Sequence, residues 1–156
     1  MLLSFDLDGV VVATDNGLLA LLHRAARAEL PGAVADLQQY YARRQMMLDP
    51  RTLCLPGDSF HIITGRVPSA HEVTKLWVNR WFGWLGVKRL HLVGNQAVED
   101  LFTLGQDDKA CELLAQAKLE AIQEVRAAVH FDNNPSIIRR LRQGGVTAIS
   151  VGGGLL

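Results

Sequence analysis

The stretch that decides the fold is the first predicted strand, Leu2-Leu3-Ser4-Phe5-Asp6-Leu7-Asp8-Gly9-Val10. Its apolar residues stop at two aspartates, Asp6 and Asp8, which are followed at once by Gly9. Burying an unpaired carboxylate is costly, so two of them at the end of a buried strand indicate a site with a partner for negative charge. A divalent metal ion is such a partner, and oxygen ligands of this kind suit Mg²⁺. The simpler alternative is that both aspartates only cap a turn or the next helix.

Length and composition limit the class of protein. A chain of 156 residues is the size of one domain, and we treat residues 1–156 as a single unit. Its 16 basic and 16 acidic residues balance, which argues against nucleic acid or a membrane surface as a partner. Two widely separated cysteines and an apolar start without a basic leader predict a cytoplasmic protein with no membrane segment.

Apolar runs and helical periodicity alternate along the chain. Five runs predict strands, at Leu2–Phe5, Ser59–Thr64, 89–93, 127–131 and 146–151. Five stretches between or beside them predict helices, at 16–30, 34–47, 68–86, Asp107–Val125 and Pro135–Gln143. This alternation is typical of an α/β fold, with a Rossmann-like, doubly wound parallel sheet covered by helices on both faces. Ligands of such sheets bind beyond the carboxyl ends of the strands.

One helical stretch carries the three tryptophans. Trp77, Trp81 and Trp84 follow Val73 and Leu76 in an apolar stripe that ends at Gly86. A stripe with this spacing is more typical of a core or an interface than of a ligand site. If it is an interface, the protein forms a homodimer.

Polar residues end three of the predicted strands. Asp6 and Asp8 end the first, Thr64-Gly65-Arg66 ends the second, and Asp132-Asn133-Asn134-Pro135 ends the fourth. Because the carboxyl ends of parallel strands lie at one edge of a sheet, we expect these groups to lie close together. The sequence therefore predicts a polar site at that edge.

Lys118 supplies a positive charge for this site. It lies four residues from both Leu114 and Ile122, so it interrupts the apolar side of its helix. A lysine there either serves an anion as a compact positive charge or buries its stem and keeps its ammonium group in water. Lys109 is the other candidate, but its acidic neighbours predict an exposed helix start.

These motifs together resemble those of the haloacid dehalogenase (HAD) superfamily, in the order in which that superfamily carries them. The matching segments are Asp6-Leu7-Asp8-Gly9-Val10, Ile62-Ile63-Thr64-Gly65-Arg66, Lys118 and Phe131-Asp132-Asn133-Asn134-Pro135. The resemblance extends from residue 2 to about residue 151. It implies a Rossmann-like core and a magnesium-dependent phosphohydrolase.

The resemblance also implies a role for each motif residue. Asp6 is the expected nucleophile and forms an aspartyl-phosphate, while Asp8 is the general acid and then the base. Thr64 and Lys118 are expected to complete the catalytic set by holding the phosphoryl oxygens. The phosphate-binding residues implied in this way are Asp8, Gly9, Thr64, Gly65 and Lys118.

Magnesium is the implied cofactor, with Asp6, the Asp8 carbonyl and Asp132 as its ligands. Many relatives carry a second acid where this chain has Asn133. An asparagine carbonyl can hold a metal-bound water but adds no charge, so weaker metal binding is expected.

Two other functions compete with a phosphatase. A receiver domain of signalling also uses acids, a threonine and a lysine, but its phosphorylated aspartate lies mid-chain and its lysine follows the threonine near the end. The order found here favours the hydrolase. Asn133 motivates the second alternative, a non-catalytic phosphate-binding or regulatory module that kept the HAD fold.

The substrate is expected to be a small phosphomonoester, with a nucleotide first and a sugar phosphate second. Residues 34–56 leave room for at most a small helical cap or a crossover region. Within them, Tyr40, Tyr41, Arg43 and Arg44 form an aromatic and basic cluster that predicts either a base- or phosphate-binding surface or a solvated helix face.

Overall fold

The sheet is parallel throughout, as predicted. The computed structural model describes residues 1–14, 17, 18, 21, 24 and 32–152. Its strands are β1 (Leu2–Phe5), β2 (Ser59–Thr64), β3 (Leu90–Leu92), β4 (Val129–Asp132) and β5 (Ala148–Ser150). They form one five-stranded sheet in the order β3-β2-β1-β4-β5. The bounds predicted for β1 and β2 are confirmed, whereas β3 and β5 are shorter than predicted and β4 is shifted toward its carboxyl end.

Five helices are described: α1 (Ala33–Ala42), α2 (His71–Lys88), α3 (Gln96–Thr103), α4 (Asp107–Val125) and α5 (Pro135–Gln143). Two short 3₁₀ helices, Pro50–Leu53 and Pro68–Ala70, precede β2 and α2. The predicted bounds of α4 and α5 are confirmed. The helix predicted over residues 16–30 lies mostly outside the described residues.

Two predictions for the helices were wrong. The helix predicted over 34–47 ends at Ala42, because the residues beyond it pair with the loop after β1: Met47 N–H donates to the Val11 carbonyl over 2.8 Å. Helix α3 was not predicted as a separate element. Asn95 begins it, since its side chain accepts the Val98 N–H over 3.1 Å.

Helices cover both faces of the sheet. On one face Phe5 of β1 packs in a cluster with Trp77 and Val78 of α2. On the other face Ile63 of β2 packs with residues of α4 and α5, among them Ile122. Burying each such side chain stabilises the fold by about 1.5–3 kcal/mol, and the two layers explain why the strands are apolar on both sides.

The tryptophan stripe is only partly buried. Trp77 is 3% exposed and lies in the core, whereas Leu76 and Trp84 are 70% and 65% exposed and lie outside it. Gly83 has φ 66° and ψ −168°, which interrupts α2 and changes the direction of the residues after it. A single helical periodicity therefore does not hold through Trp84.

None of the helices in the described ranges is long and apolar enough to cross a membrane.

The strand order explains where the polar groups meet. Strand β1 lies between β2 and β4, so the carboxyl ends that carry Asp6, Thr64 and Asp132 are neighbours. The hydrogen bonding between β1 and β4 continues one residue past the end of β1, because the Asp6 N–H donates to the Phe131 carbonyl over 2.8 Å. The edge of the sheet at which the sequence placed a site is the edge where these residues converge.

Candidate functional site

A cavity of about 290 Å³ lies at the carboxyl edge of the sheet. Six of the predicted site residues line it: Asp6, Asp8, Thr64, Gly65, Lys118 and Asn133. Gly9 lies directly behind Asn133, and Asp132 lies below the cavity floor. The structure therefore brings the predicted residues together.

Lys118 occupies the centre of this arrangement. Its side chain is 2% exposed, and its Nζ lies 2.9 Å from Oδ1 of Asp6 and 2.6 Å from Oδ2 of Asp132. Burial alone lowers the pKa of Lys118, but Asp132 and Asp6 outweigh it and hold the pKa above its ordinary value. The ammonium group is not in water, and Lys109, the other candidate, is exposed.

Asp6 is a carboxyl group with a raised pKa. Burial raises the pKa of Asp6 to about 7, with Lys118 opposing the change and the charges of Asp132 and Asp8 adding to it. Such a strongly shifted group in a cleft is typical of functional sites.

Asp132 anchors Lys118 instead of lining the cavity. It is completely buried, its Oδ1 accepts the Asn134 backbone N–H over 2.8 Å, and its Oδ2 accepts from Lys118. Although burial raises its pKa, Lys118 and His130 together bring the pKa of Asp132 well below its ordinary value. This carboxylate is therefore ionised, and each of its two oxygens accepts a hydrogen bond.

Of the predicted magnesium ligands, Asp6 and Asp132 would use their side chains and Asp8 its backbone carbonyl, and both of these side chains contact Lys118. Among the described residues, no group of three or more histidine, cysteine or acidic side chains is arranged to hold a metal ion. The Lys118 ammonium group lies between the Asp6 and Asp132 carboxylates, which are two of the predicted ligands.

Arg66 is the functional candidate to which the sequence analysis assigned no role. Its Nε and Nη2 donate to the two carboxylate oxygens of Asp8 over 2.9 and 2.7 Å. Nη1 donates to Oγ1 of Thr74 over 3.1 Å, and the guanidinium lies 3.8 Å from the centre of the Tyr41 ring. The arginine is 4% exposed, so Asp8 is held in a rigid, two-point ion pair.

Tyr41 also contributes to the site. It is buried on α1 and lines the cavity beside Arg66, whereas Arg43 of the same predicted cluster is exposed and Arg44 lies 4.0 Å above the Tyr40 ring. The solvated-face interpretation was therefore wrong for Tyr41. The signal that indicates its burial is its spacing of four residues from Leu37, which is buried too.

His130 supports the site from below. Its Nδ1 lies 2.9 Å from the Ser4 hydroxyl and its Nε2 lies 3.3 Å from Oδ2 of Asp132. Burial lowers the pKa of His130. Strand periodicity alone does not distinguish such a residue from an ordinary core position.

Gly9 is required by geometry. Its φ is 76°, and a Cβ atom at this position would lie 2.0 Å from Nδ2 of Asn133. Glycine therefore permits both the turn after β1 and the close approach of Asn133 to it.

No protein-family model matches the chain, and no curated protein is similar to it in sequence. The resemblance to the HAD superfamily therefore depends on the motif residues themselves.

Proposed function

We propose that this protein is a phosphomonoester hydrolase of the HAD type that acts through an aspartyl-phosphate on Asp6. The observation that carries the proposal is the buried Lys118, which pairs with Asp6 at the floor of a cavity and is itself held by Asp132. A carboxylate that attacks an anionic phosphate needs a fixed positive charge beside it, and Lys118 supplies that charge.

The reaction then has two steps. An Asp6 carboxylate oxygen attacks phosphorus, the ester P–O bond breaks, and its electron pair leaves on the alcohol oxygen, which takes a proton from Asp8. Water next attacks the phosphorus of the aspartyl-phosphate and gives its proton to Asp8, which frees the Asp6 carboxylate and inorganic phosphate. Thr64 lines the same cavity, and in this scheme its hydroxyl donates to a phosphoryl oxygen.

Arg66 positions Asp8 in this scheme. Arg66 donates to both side-chain oxygens of Asp8, so the ion pair leaves neither oxygen free for a proton. The first step requires the acid form, so one of the two hydrogen bonds from Arg66 must open when the substrate enters.

Magnesium dependence is part of the proposal. The site has three acidic groups, Asp6, Asp8 and Asp132, and two basic ones, Lys118 and Arg66. A further cation beside Asp6 would favour its ionised form, which is the form that attacks phosphorus. Asp6, the Asp8 backbone carbonyl and Asp132 are the groups that would hold Mg²⁺, which when bound would neutralise negative charge on the phosphoryl group.

The decisive test is phosphate release from p-nitrophenyl phosphate, with and without MgCl₂ and with EDTA, by the wild-type protein and the Asp6→Asn variant. We expect turnover that requires Mg²⁺ and disappears in the variant. Turnover in wild type and variant alike would contradict the covalent mechanism. Equal turnover in EDTA would contradict only the magnesium requirement.

A non-catalytic phosphate-binding module is the second candidate. It is favoured by the closed Asp8–Arg66 ion pair and by Asn133, which adds no charge where many relatives have an acid. In this case the wild-type protein releases no phosphate above the Asp6→Asn level, while calorimetry still detects binding of inorganic phosphate.

A further inference from the structure

Another cavity of about 290 Å³, the amino-edge cavity, lies at the edge of the sheet opposite to Asp6. Ser59, the first residue of β2, and Arg89, which directly precedes β3, both line it. The two ends of β2, Ser59 and Thr64, are roughly 17 Å apart at about 3.3 Å per residue. The amino-edge cavity is therefore separate from the candidate site, and an inference drawn from it does not depend on the proposed function.

Two aromatic side chains line the amino-edge cavity and contact each other. The rings of Phe60 on β2 and Phe82 on α2 are 5.5 Å apart in an edge-to-face arrangement. Phe60 is buried in the core cluster of β1 and α2, and Phe82 packs against the same cluster, so both rings are held in place. Leu85 of α2 also lines the cavity. A molecule bound here therefore finds apolar surface that it can cover.

Two arginines line the same cavity, and they differ in their partners. Arg51 is already paired, because its Nε and Nη2 donate to Oδ1 and Oδ2 of Asp49 over 2.9 and 2.7 Å. Arg89 is only partly exposed, and no other group in the described part of the chain forms a hydrogen bond or an ion pair with its guanidinium. Arg89 therefore gives the cavity a positive charge that has no anionic partner.

Asp58 lines the cavity as well but does not compensate Arg89. One of its carboxylate oxygens accepts a hydrogen bond from the amino group of Met1, and the other accepts the Leu55 N–H over 3.0 Å. Both oxygens of Asp58 are thus already engaged. An anion that enters the cavity meets a free guanidinium beside a carboxylate whose charge is already paired.

We infer that the amino-edge cavity binds a small organic anion with an apolar body, such as an aromatic carboxylate, and that Arg89 pairs with the carboxylate. The guanidinium group matches a carboxylate through two parallel hydrogen bonds, and Phe60 and Phe82 cover the apolar body. A neutral molecule of the same shape would leave Arg89 without an anion. A small inorganic anion would leave the aromatic rings uncovered.

Benzoate, benzamide and acetate separate the two contributions. Benzamide has the shape of benzoate without its charge, and acetate has the charge without the ring. We expect the backbone amide resonances of Ser59 and Arg89 to shift with benzoate at concentrations at least about tenfold lower than with the other two, because a charge-assisted hydrogen bond and the burial of a ring each contribute about this much. Equal affinity for benzoate and either of the other two would overturn the inference.

Arg89→Met tests the pairing residue, and Arg80→Met is the matched control. Arg80 is an exposed arginine of α2 whose guanidinium lies over the Trp81 ring. We expect Arg89→Met to weaken benzoate binding by about tenfold or more, Arg89→Lys to retain part of the affinity, and Arg80→Met to bind like the wild type. Unchanged benzoate affinity in the folded Arg89→Met variant would refute the role of Arg89.

Cys54 gives an independent readout, because it lines the amino-edge cavity. Burial and the charge of Asp58 raise the pKa of the Cys54 thiol, and the charge of Arg89 opposes this rise. Iodoacetate is an anion and iodoacetamide is neutral, but both react with the thiolate. The ratio of their rates therefore reports the local charge independently of the pKa of the thiol.

We expect the iodoacetate to iodoacetamide ratio at Cys54, measured by mass spectrometry of the alkylated peptides, to fall several-fold in Arg89→Met. The ratio at Cys111, which lines the cavity of the candidate site, should stay unchanged. In the wild-type protein, benzoate should also protect Cys54 from iodoacetamide over the concentrations at which the amide resonances shift. The same ratio at Cys54 in wild type and Arg89→Met, or no protection of Cys54 by benzoate, would contradict the inference.

Discussion

At the scale of single residues, Lys118 explains how two carboxylates lie close together in a buried place. Its ammonium group contacts both Asp6 and Asp132, so removing it leaves two buried acids without their cation. An uncompensated buried charge is among the most destabilising changes in a protein. The lysine is therefore as important for stability as for the proposed chemistry.

Lys118→Met tests this dependence. We expect the free energy of unfolding, measured by urea denaturation at pH 8, to fall by about 3–5 kcal/mol. Lys109→Met, on the exposed part of the same helix, is the control and should change it by less than about 0.5 kcal/mol. Similar values for the two variants would show that Asp6 and Asp132 do not depend on Lys118.

Asp6 and Asp8 are two residues apart, but their substitution by asparagine should have different effects on turnover. Asp6→Asn removes the attacking carboxylate and should abolish turnover of every phosphomonoester. Asp8→Asn removes the acid and base, which are worth about 10²–10⁴-fold, and its defect should be smaller for p-nitrophenyl phosphate, whose leaving group needs no proton.

Detection of the aspartyl-phosphate intermediate gives a second test of the roles of Asp6 and Asp8. With Asp8→Asn, water lacks its base, so an aspartyl-phosphate should accumulate and be detected by mass spectrometry after acid quenching. Equal defects for p-nitrophenyl and benzyl phosphate, with no added mass, would contradict the division of roles between the two aspartates.

At the scale of elements, α2 has a sharp change of direction at Gly83. The combination of φ 66° and ψ −168° is one that only glycine adopts readily, and no atom lies within 4 Å of the position of a Cβ there. A substitution at Gly83 would therefore act through the backbone alone.

Gly83→Ala should lower the free energy of unfolding by about 1–3 kcal/mol. Asn79→Ala, at an exposed position of the same helix, is the control and should be close to neutral. If Gly83→Ala is instead neutral and the fluorescence of Trp84 changes, the helix has straightened and the bend is not required by the fold.

At the scale of the whole molecule, stability should depend on pH through the pair His61–His91. The two imidazoles belong to β2 and β3, and Nδ1 of His61 lies 2.8 Å from Nε2 of His91. Burial lowers the pKa of both histidines in the folded protein, with the charges of His91 and Arg89 adding to the effect on His61. At these two positions the unfolded chain thus binds more protons than the folded one as the pH falls below the ordinary histidine value, whereas Asp6, with its pKa raised to about 7, has the opposite effect on stability.

The contribution of the pair to the midpoint of urea unfolding should therefore be complete above about pH 7.5 and be lost as the pH drops through 6.5 and then through the lower folded-state pKa values. His61→Gln keeps a hydrogen-bonding group opposite His91 and should lose part of this dependence. At pH 8 its midpoint should stay near that of the wild type. The same decline in both proteins between pH 8 and pH 5.5 would exclude the pair as its source.

The sequence by itself determined the parallel α/β architecture and the edge of the sheet where polar groups meet. Strand ends such as Asp6 and Asp132 are visible because a buried strand avoids charge, and Lys118 is visible because it interrupts the apolar side of α4. These are local patterns of three or four residues, which the chain displays without any knowledge of its packing.

Only the tertiary structure decided which groups pair. Three pairings depend on contacts between segments that are distant in sequence. Arg66 binds Asp8, the ring of Tyr41 lies over Arg66, and Asp132 contacts Lys118. The cluster of Val98, Ala110 and Leu114 has the same origin, because it arises where α3 packs on α4. Periodicity reports which side of an element is buried, but the partner across the interface is set by the geometry of packing, which no local pattern contains.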